Sequence, residues 1–145
     1  MTDRGHLQNE EEKSMRGLCL VVAGAMLALA GSAHADGDAT KGKALFRQCQ
    51  SCHSIDEGTN RIGPSLFHIL DRPAASVPNY TYSDAMKAFG TAGHKWDEAT
   101  LAAYLQAPRD YIPGIKMAFV GLRKPDAIAD IIAYLKNPEN AKSGW

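Results

Sequence analysis

Residues 49–53 read Cys49-Gln50-Ser51-Cys52-His53, two cysteines separated by two residues with a histidine directly after the second. A Cys-x-x-Cys pair alone can form a disulfide, a thioredoxin-like redox pair or half of a zinc site. A zinc site needs a second ligand pair, but His68 and His94 stand alone in the sequence. A thioredoxin-like pair should follow a β-strand, and no alternating apolar strand precedes Cys49. The added histidine makes the string typical of covalent attachment of a c-type haem.

The spacing of this motif suits that chemistry. Two thiols three positions apart on a helical turn face the same way, so Cys49 and Cys52 can add to two vinyl groups on one side of a porphyrin. His53 follows at once and can place its imidazole beneath the iron. The motif therefore predicts one covalent haem c as cofactor, with His53 as an axial iron ligand.

The second axial ligand decides between a reactive iron and a closed electron carrier. Met117 is the best candidate, and it lies in residues 111–119, Tyr-Ile-Pro-Gly-Ile-Lys-Met-Ala-Phe. Proline and glycine oppose a helix in this stretch, and its apolar side chains could line a haem face. Methionine is also a common core residue. On its position alone, Met117 suits both roles equally.

Residues 1–35 have the pattern of an export signal. Met15 and Arg16 precede an apolar run over residues 18–30, and Ala33 and Ala35 fit an A-x-A cleavage site. The run is shorter than the roughly 17 apolar residues that a membrane span requires. Three glutamates at 10–12 oppose the positive charge of a signal's start, which makes Met15 an alternative start of the protein. We expect cleavage of residues 1–35 and a soluble periplasmic domain over residues 36–145.

The composition limits the number of domains and the classes of partner that the protein can have. A chain of 145 residues with 45% hydrophobic residues is large enough for one globular domain. Its 16 basic residues balance its 16 acidic ones, and no long basic run is present. Nucleic acid is therefore excluded as the main partner, because phosphate binding needs clustered lysine and arginine.

Apolar periodicity predicts an all-α domain. Asp38 or Thr40 can cap a first helix that runs to about Cys49. Shorter helices are predicted over residues 83–89, ended by Gly90, and over residues 96–107, stopped by Pro108. A last helix begins at Pro125-Asp126, and its buried stripe consists of Ile128, Ile131, Ile132 and Leu135.

The first and last helices are expected to cross at Gly42. Because glycine has no side chain, the last helix can approach the first closely there. Phe46 and Tyr134 are expected to fill the sides of the crossing. This pair has a structural role in the prediction and no catalytic one.

From about Gly37 to Leu135 the chain resembles the class I cytochromes c of the mitochondrial and related bacterial type. The resemblance rests on Gly42, Phe46, Cys49, Cys52, His53, Gly63, Pro64, Arg72, Tyr82, Trp96, Tyr104, Pro113, Gly114, Met117 and Tyr134. It implies the class I cytochrome c fold, in which crossed N- and C-terminal helices pack around one covalent haem. It also implies Met117 as the second axial iron ligand.

The resemblance assigns further residues to the haem pocket. The Pro64 carbonyl is expected to orient His53. Arg72, Tyr82 and Trp96 are expected to surround a haem propionate. Tyr104 is expected near the sulfur of the axial methionine.

Two positions depart from the family pattern. Ile115 stands where the family commonly has threonine, and Met86 where it commonly has asparagine. Both family side chains help to hold an internal water near the methionine. We therefore expect a drier pocket here, and the direction of the resulting change in reduction potential does not follow from the sequence.

A histidine and a methionine would fill both axial positions and leave no place for oxygen or a small-molecule substrate. We expect a monomeric one-electron carrier rather than an enzyme. The resemblance implies transfer between a quinol-oxidising membrane complex and a terminal oxidase or photosynthetic reaction centre. An electron-accepting subunit of a periplasmic dehydrogenase is one alternative. A ligand-binding or peroxidase-like haem protein is the other, if Met117 does not bind the iron.

Redox partners must reach the exposed haem edge. The sequence places a group of cations around the expected edge, namely Lys43, Arg47, Arg109, Lys116, Arg123 and Lys124. The family commonly uses lysines there, so we expect these residues to dock acidic redox proteins. An ordinary solvated surface is the alternative interpretation of the same charges.

Overall fold

The computed structural model describes residues 37–138. Its helices are α1 Ala39–Phe46, α2 Asp84–Thr91, α3 Glu98–Gln106, α4 Pro108–Tyr111 and α5 Pro125–Lys136. The β structure found in residues 37–138 is one isolated antiparallel bridge between Pro73 and Lys95. The predicted all-α class is confirmed. The expected export signal lies outside the described residues.

Helix α1 begins at a side-chain cap and ends before the haem-attachment motif. Asp38 is the cap, since its carboxylate accepts hydrogen bonds from the backbone N–H groups of Thr40 at 2.8 Å and Lys41 at 3.2 Å. Thr40, the other candidate, is therefore not the cap. The helix ends at Phe46, three residues before the expected end at Cys49. Tight turns over residues 47–52 carry the chain into the motif.

The predicted crossing of the first and last helices is confirmed. A Cβ atom at Gly42 would overlap the Asp130 carbonyl oxygen and lie 2.8 Å from Tyr134 Cβ. The rings of Phe46 and Tyr134 pack beside this contact with centroids 5.2 Å apart. Asp38 adds a polar link, because its N–H donates to an Asp130 carboxylate oxygen at 2.7 Å. The two ends of the fold are thus joined without room for a side chain at residue 42.

Helix α2 runs further than predicted. Ser83 caps its start, with its hydroxyl accepting from the Met86 N–H at 3.2 Å. The prediction that Gly90 ends the helix is wrong, because the helix continues to Thr91. Gly90 is required for packing instead, since a Cβ there would overlap the Ala74 carbonyl oxygen. The glycine with a positive φ at this end is Gly93, at +85°.

Helix α3 is shorter than predicted, and Pro108 has a second role. Trp96 lies before the helix, and Asp97 is its cap, accepting from the Thr100 N–H at 2.7 Å. Pro108 follows the end of α3 and also opens the single turn α4. Proline suits such a first position because it needs no backbone donor there.

The core joins helix residues with side chains from the loops. Its buried apolar residues are Phe46, Ile69, Ala74, Met86, Trp96, Leu101, Tyr104, Ile112, Ile128, Ile131, Ile132, Tyr134 and Leu135. All four predicted stripe positions of α5 are among them. No helix within residues 37–138 combines the length and the apolar character needed to cross a membrane.

The cap at Asp97 predicts a pH dependence of stability. Hydrogen bonds from Thr100 lower the pKa of this carboxyl below its usual range. Folding therefore favours the charged form of Asp97. Its contribution to the free energy of unfolding is present above the unfolded pKa of about 3.9 and is lost as pH falls through the lower folded pKa. Asp97→Asn retains an acceptor but cannot lose a charge.

We therefore expect the thermal midpoint of Asp97→Asn to fall less than that of the wild type between neutral pH and pH below about 4. Asp97→Ala should be less stable than both at neutral pH, because the Thr100 N–H loses its partner. Far-ultraviolet circular dichroism melts of the three holoproteins measure this. Parallel pH profiles for the wild type and Asp97→Asn would contradict the assignment.

Candidate functional site

The haem-attachment motif forms one tight turn. The N–H groups of Cys52 and His53 both donate to the Cys49 carbonyl, at 3.0 and 2.9 Å. Cys49 and Cys52 are free, half-buried thiols. Burial raises the pKa of the Cys49 thiol to about 11, and the nearby Cys52 adds to this rise. The turn therefore holds both cysteines on one short segment, as two thioether bonds to one porphyrin require.

His53 is held in the tautomer that binds metals. Its Nδ1 lies 2.8 Å from the Pro64 carbonyl oxygen. A carbonyl can only accept, so Nδ1 carries the proton and Nε2 keeps a free lone pair. Burial lowers the pKa of His53, and the bond to Pro64 acts in the opposite direction. The side chain thus presents a neutral imidazole nitrogen, which is the form that ligates iron.

Met117 lies in a loop that several contacts hold. The Tyr104 hydroxyl donates to its Sδ at 3.8 Å, and Arg109 Nε donates to its backbone carbonyl at 3.3 Å. Lys116 Nζ reaches the Thr81 carbonyl at 3.4 Å. Burial raises the pKa of Tyr104 to about 12, so its hydroxyl remains a donor at neutral pH. The thioether is therefore oriented by a fixed polar contact.

The end of this loop is anchored on α3. Leu122 N–H donates to the Leu105 carbonyl at 2.8 Å. Gly121 has a φ of +101°, and a Cβ there would overlap the Gln106 carbonyl oxygen. Only glycine combines that backbone conformation with so close an approach. The loop that carries Met117 is thus fixed at its far end.

Arg72 and its neighbours form a partly buried polar corner. Its Nη1 donates to the Phe67 carbonyl at 2.7 Å and its Nη2 to the Ser65 carbonyl at 2.9 Å. The Trp96 side chain is buried, and the backbone N–H of Trp96 donates to the Arg72 carbonyl at 3.0 Å. The Tyr82 hydroxyl accepts from the Val77 N–H at 3.2 Å. The structure therefore ties Arg72 and Trp96 together, and burial lowers the pKa of the Arg72 guanidinium.

One atom of this corner tests whether the residues fit a haem. Arg72 Nε is buried and has no hydrogen-bond partner. A buried donor without a partner costs free energy, so native proteins rarely leave one unpaired. A carboxylate of the cofactor would satisfy it. Together with the two neighbouring thiols and the free Nε2 of His53, this donor fits a haem that bears propionates.

The two departures from the family pattern are apolar contacts in the structure. Met86 is buried in α2, and Ile115 packs against the core. The first turn of α2 reaches the loop of Met117, since Ala85 Cβ lies 3.4 Å from a Cβ built on Gly114. The surroundings of this loop therefore contain apolar side chains at the positions of the family's two polar ones.

Three hydrogen bonds that the sequence did not reveal connect the loops around the site. Asn60 donates to the Pro78 carbonyl at 2.9 Å and accepts from the Ser65 N–H at 3.0 Å. Tyr80 donates to the Ile62 carbonyl at 2.9 Å. Loop residues have no periodicity that marks such contacts, and only the polar side chain of Asn60 is a signal that could have been followed.

The candidate docking cations lie in three separate parts of the structure. Lys43 and Arg47 line a surface cleft of about 940 Å³ beside the attachment motif, together with Arg61. Arg109 and Lys116 contact backbone carbonyls at or near the loop of Met117. Arg123 and Lys124 are exposed just before α5. Arg61 was missing from the predicted group.

Apart from His53, the histidines of residues 37–138 are exposed, and no metal-binding cluster appears around them in this part of the chain. His94 stacks on Phe89 with ring centroids 4.0 Å apart, and His68 packs edge-on against Phe67 at 4.1 Å. Residues 37–138 contain no group of three or more His, Cys, Asp or Glu side chains suited to a metal ion. A zinc site built on Cys49 and Cys52 therefore finds no support in this part of the chain.

Comparison with known proteins agrees with this geometry. The family model described as Cytochrome c matches residues 39–138. Cytochrome c2 of Rhodomicrobium vannielii is 42% identical over 122 residues, which cover 83% of this chain and 95% of that protein. Cytochrome c2 of Agrobacterium tumefaciens is 46% identical over 101 residues, which cover 69% of this chain and 91% of that protein.

A solved structure supports the same assignment. Cytochrome cH from Methylobacterium extorquens superposes with a TM-score of 0.63 at 39% sequence identity. The match covers 69% of this chain and 98% of that one. The chain belongs to the cytochrome c family and is an electron carrier with one covalently bound haem c.

Proposed function

We propose that this protein is a mobile one-electron carrier whose haem is attached to Cys49 and Cys52 and whose iron is bound by His53 and Met117. The observation that carries this proposal is the pair of oriented donor atoms. The Nδ1–H of His53 is committed to Pro64, which leaves Nε2 free, and the sulfur of Met117 is held by Tyr104. Haem, when bound, supplies an iron that reversibly takes up one electron.

The ligand pair determines the kind of redox protein. His53 and Met117 would together supply both protein ligands of the haem iron, so a substrate would find no open coordination site. A thioether is a soft ligand that favours ferrous iron, and histidine with methionine raises the potential in cytochromes c. The contacts at Pro64 and Tyr104 would hold both side chains in place while the haem gains and loses an electron. These features suit rapid electron exchange.

The proposed partners are a quinol-oxidising membrane complex as donor and a terminal oxidase or photosynthetic reaction centre as acceptor. We infer removal of residues 1–35 and a periplasmic location, supported by the signal pattern and by relatives named cytochrome c2. We further infer a monomer that docks through Lys43, Arg47, Arg109, Lys116 and Lys124. The relatives do not favour the dehydrogenase-subunit or peroxidase-like alternatives.

Docking through these cations predicts a salt-dependent reaction. The rate of reduction by a purified bacterial quinol:cytochrome c reductase should fall as ionic strength rises, because opposite charges steer the encounter. At low salt, Arg47→Glu and Lys124→Glu should each slow the bimolecular rate by about tenfold. Stopped-flow absorbance of the haem measures both effects.

Lys87→Glu is the matched control, since Lys87 is an exposed lysine on α2 that pairs with Asp84 and lies outside the proposed group. Lys87→Glu changes the net charge of the protein by the same amount as Arg47→Glu or Lys124→Glu. A salt-independent rate, or an equal loss in the Lys87 variant, would show that the proposed docking surface is wrong.

A further inference from the structure

Gly63 packs directly against the imidazole of His53. A Cβ atom built on Gly63 would lie 2.6 Å from Nδ1 and 2.8 Å from Nε2, and its three nearest neighbours are all atoms of that ring. These distances are well inside van der Waals contact. Gly63 is itself buried. The backbone of residue 63 can therefore touch the ring only because it carries no side chain.

The backbone at Gly63 is also prevented from retreating. Its N–H donates to the Cys52 carbonyl at 2.8 Å, and its carbonyl accepts from the Arg61 N–H at 2.9 Å. The Arg61 side chain donates to the Gln50 carbonyl at 2.8 Å. The turn of residues 61–64 is thus fastened to the attachment motif at two points. An added side chain at residue 63 would displace the imidazole rather than the chain.

We propose that Gly63 is a positioning residue that fixes the plane of the His53 imidazole. The bond from Nδ1 to Pro64 O holds one edge of the ring, and the contact with Gly63 limits its rotation about the Cβ–Cγ bond. One constraint without the other would leave the ring free to tilt. This inference rests on the proposed function, because it takes His53 as an iron ligand. Neighbours of a ligating histidine set its orientation and tune the metal.

Gly63→Ala is the direct test, and Gly58→Ala is its matched control. Gly58 lies in the same loop, and a Cβ there meets nothing within 4 Å, although its φ of +64° adds backbone strain. The first readout is the electron paramagnetic resonance spectrum of the ferric holoprotein, because its g-values depend on the orientation of the axial ligand planes. The second is the exchange rate of the His53 Nδ1 proton, measured by NMR.

We expect Gly63→Ala to shift the g-values and to speed Nδ1 proton exchange by about tenfold, because the turned ring weakens its bond to Pro64. Gly58→Ala should keep both wild-type values. Wild-type g-values and exchange rate in Gly63→Ala would overturn the inference. Equal shifts in both variants would overturn it as well, since they would reflect general loop strain.

A second variant decides the matter if Gly63→Ala yields no holoprotein. Arg61→Ala removes the contact with Gln50 and leaves Gly63 in place. We then expect broadened lines in the electron paramagnetic resonance spectrum, because the His53 ring would take a wider spread of orientations. Lines of unchanged width would overturn the inference. A wild-type spectrum without histidine ligation would instead refute the proposed function itself.

Discussion

Replacing Met117 with alanine should lower the reduction potential of the holoprotein by on the order of a tenth of a volt, a modest part of the ~0.8 V range that axial ligands control. The thioether stabilises ferrous iron more than ferric iron, so its loss favours the oxidised form. The variant should also bind cyanide readily, because the axial position becomes accessible. Redox titration and cyanide-binding kinetics measure the two effects.

Met86→Leu provides the control for this experiment. Met86 is a buried methionine in α2, and leucine conserves its volume. We expect this variant to retain a potential and cyanide kinetics close to the wild type. If Met117→Ala behaved like Met86→Leu, Met117 would be a core residue and the second ligand would have to be sought elsewhere.

Replacing Gly42 with valine should destabilise the holoprotein by about 3 kcal/mol, at the upper end of the cost of overpacking. The added atoms would meet the Asp130 backbone and the base of the Tyr134 side chain, where α1 and α5 cross. Neither helix can shift freely, because Asp38 N–H is bonded to Asp130. The thermal midpoint should fall by roughly 10–20 °C.

Ala44→Val is the comparison for Gly42→Val. Ala44 is exposed in the same helix, so valine there carries the β-branched cost in a helix without a clash. We expect a loss below about 1 kcal/mol. Similar melting curves for the two variants would contradict the close crossing of the first and last helices.

Three of the helix starts could be predicted because their causes are local. Asp38 and Ser83 act within three residues of their own position, and Pro125 begins the last helix as its ring geometry allows. The end of α2 could not be predicted in the same way. Gly90 serves a contact with Ala74, which lies in a distant loop, so its local sequence suggested a helix stop that does not exist.

The same distinction between local causes and contacts of distant residues applies to the site. The motif Cys49-Gln50-Ser51-Cys52-His53 contains its own chemistry and could be interpreted directly. Met117 needed the family resemblance, because its position alone suited a core residue as well. The partner of Arg72 Nε and the packing of Gly63 on His53 depend on residues brought together by the whole fold. No spacing in the sequence encodes such contacts.

The most direct test of the proposed carrier is the near-infrared absorption of the ferric wild-type holoprotein at neutral pH, where iron bound to a methionine sulfur gives a charge-transfer band. We predict that the band is present, that Met117→Ala abolishes it and that Met86→Leu retains it. Absence of the band from the wild type, with ready binding of cyanide or carbon monoxide, would contradict the closed His53 and Met117 iron and favour a ligand-binding haem protein.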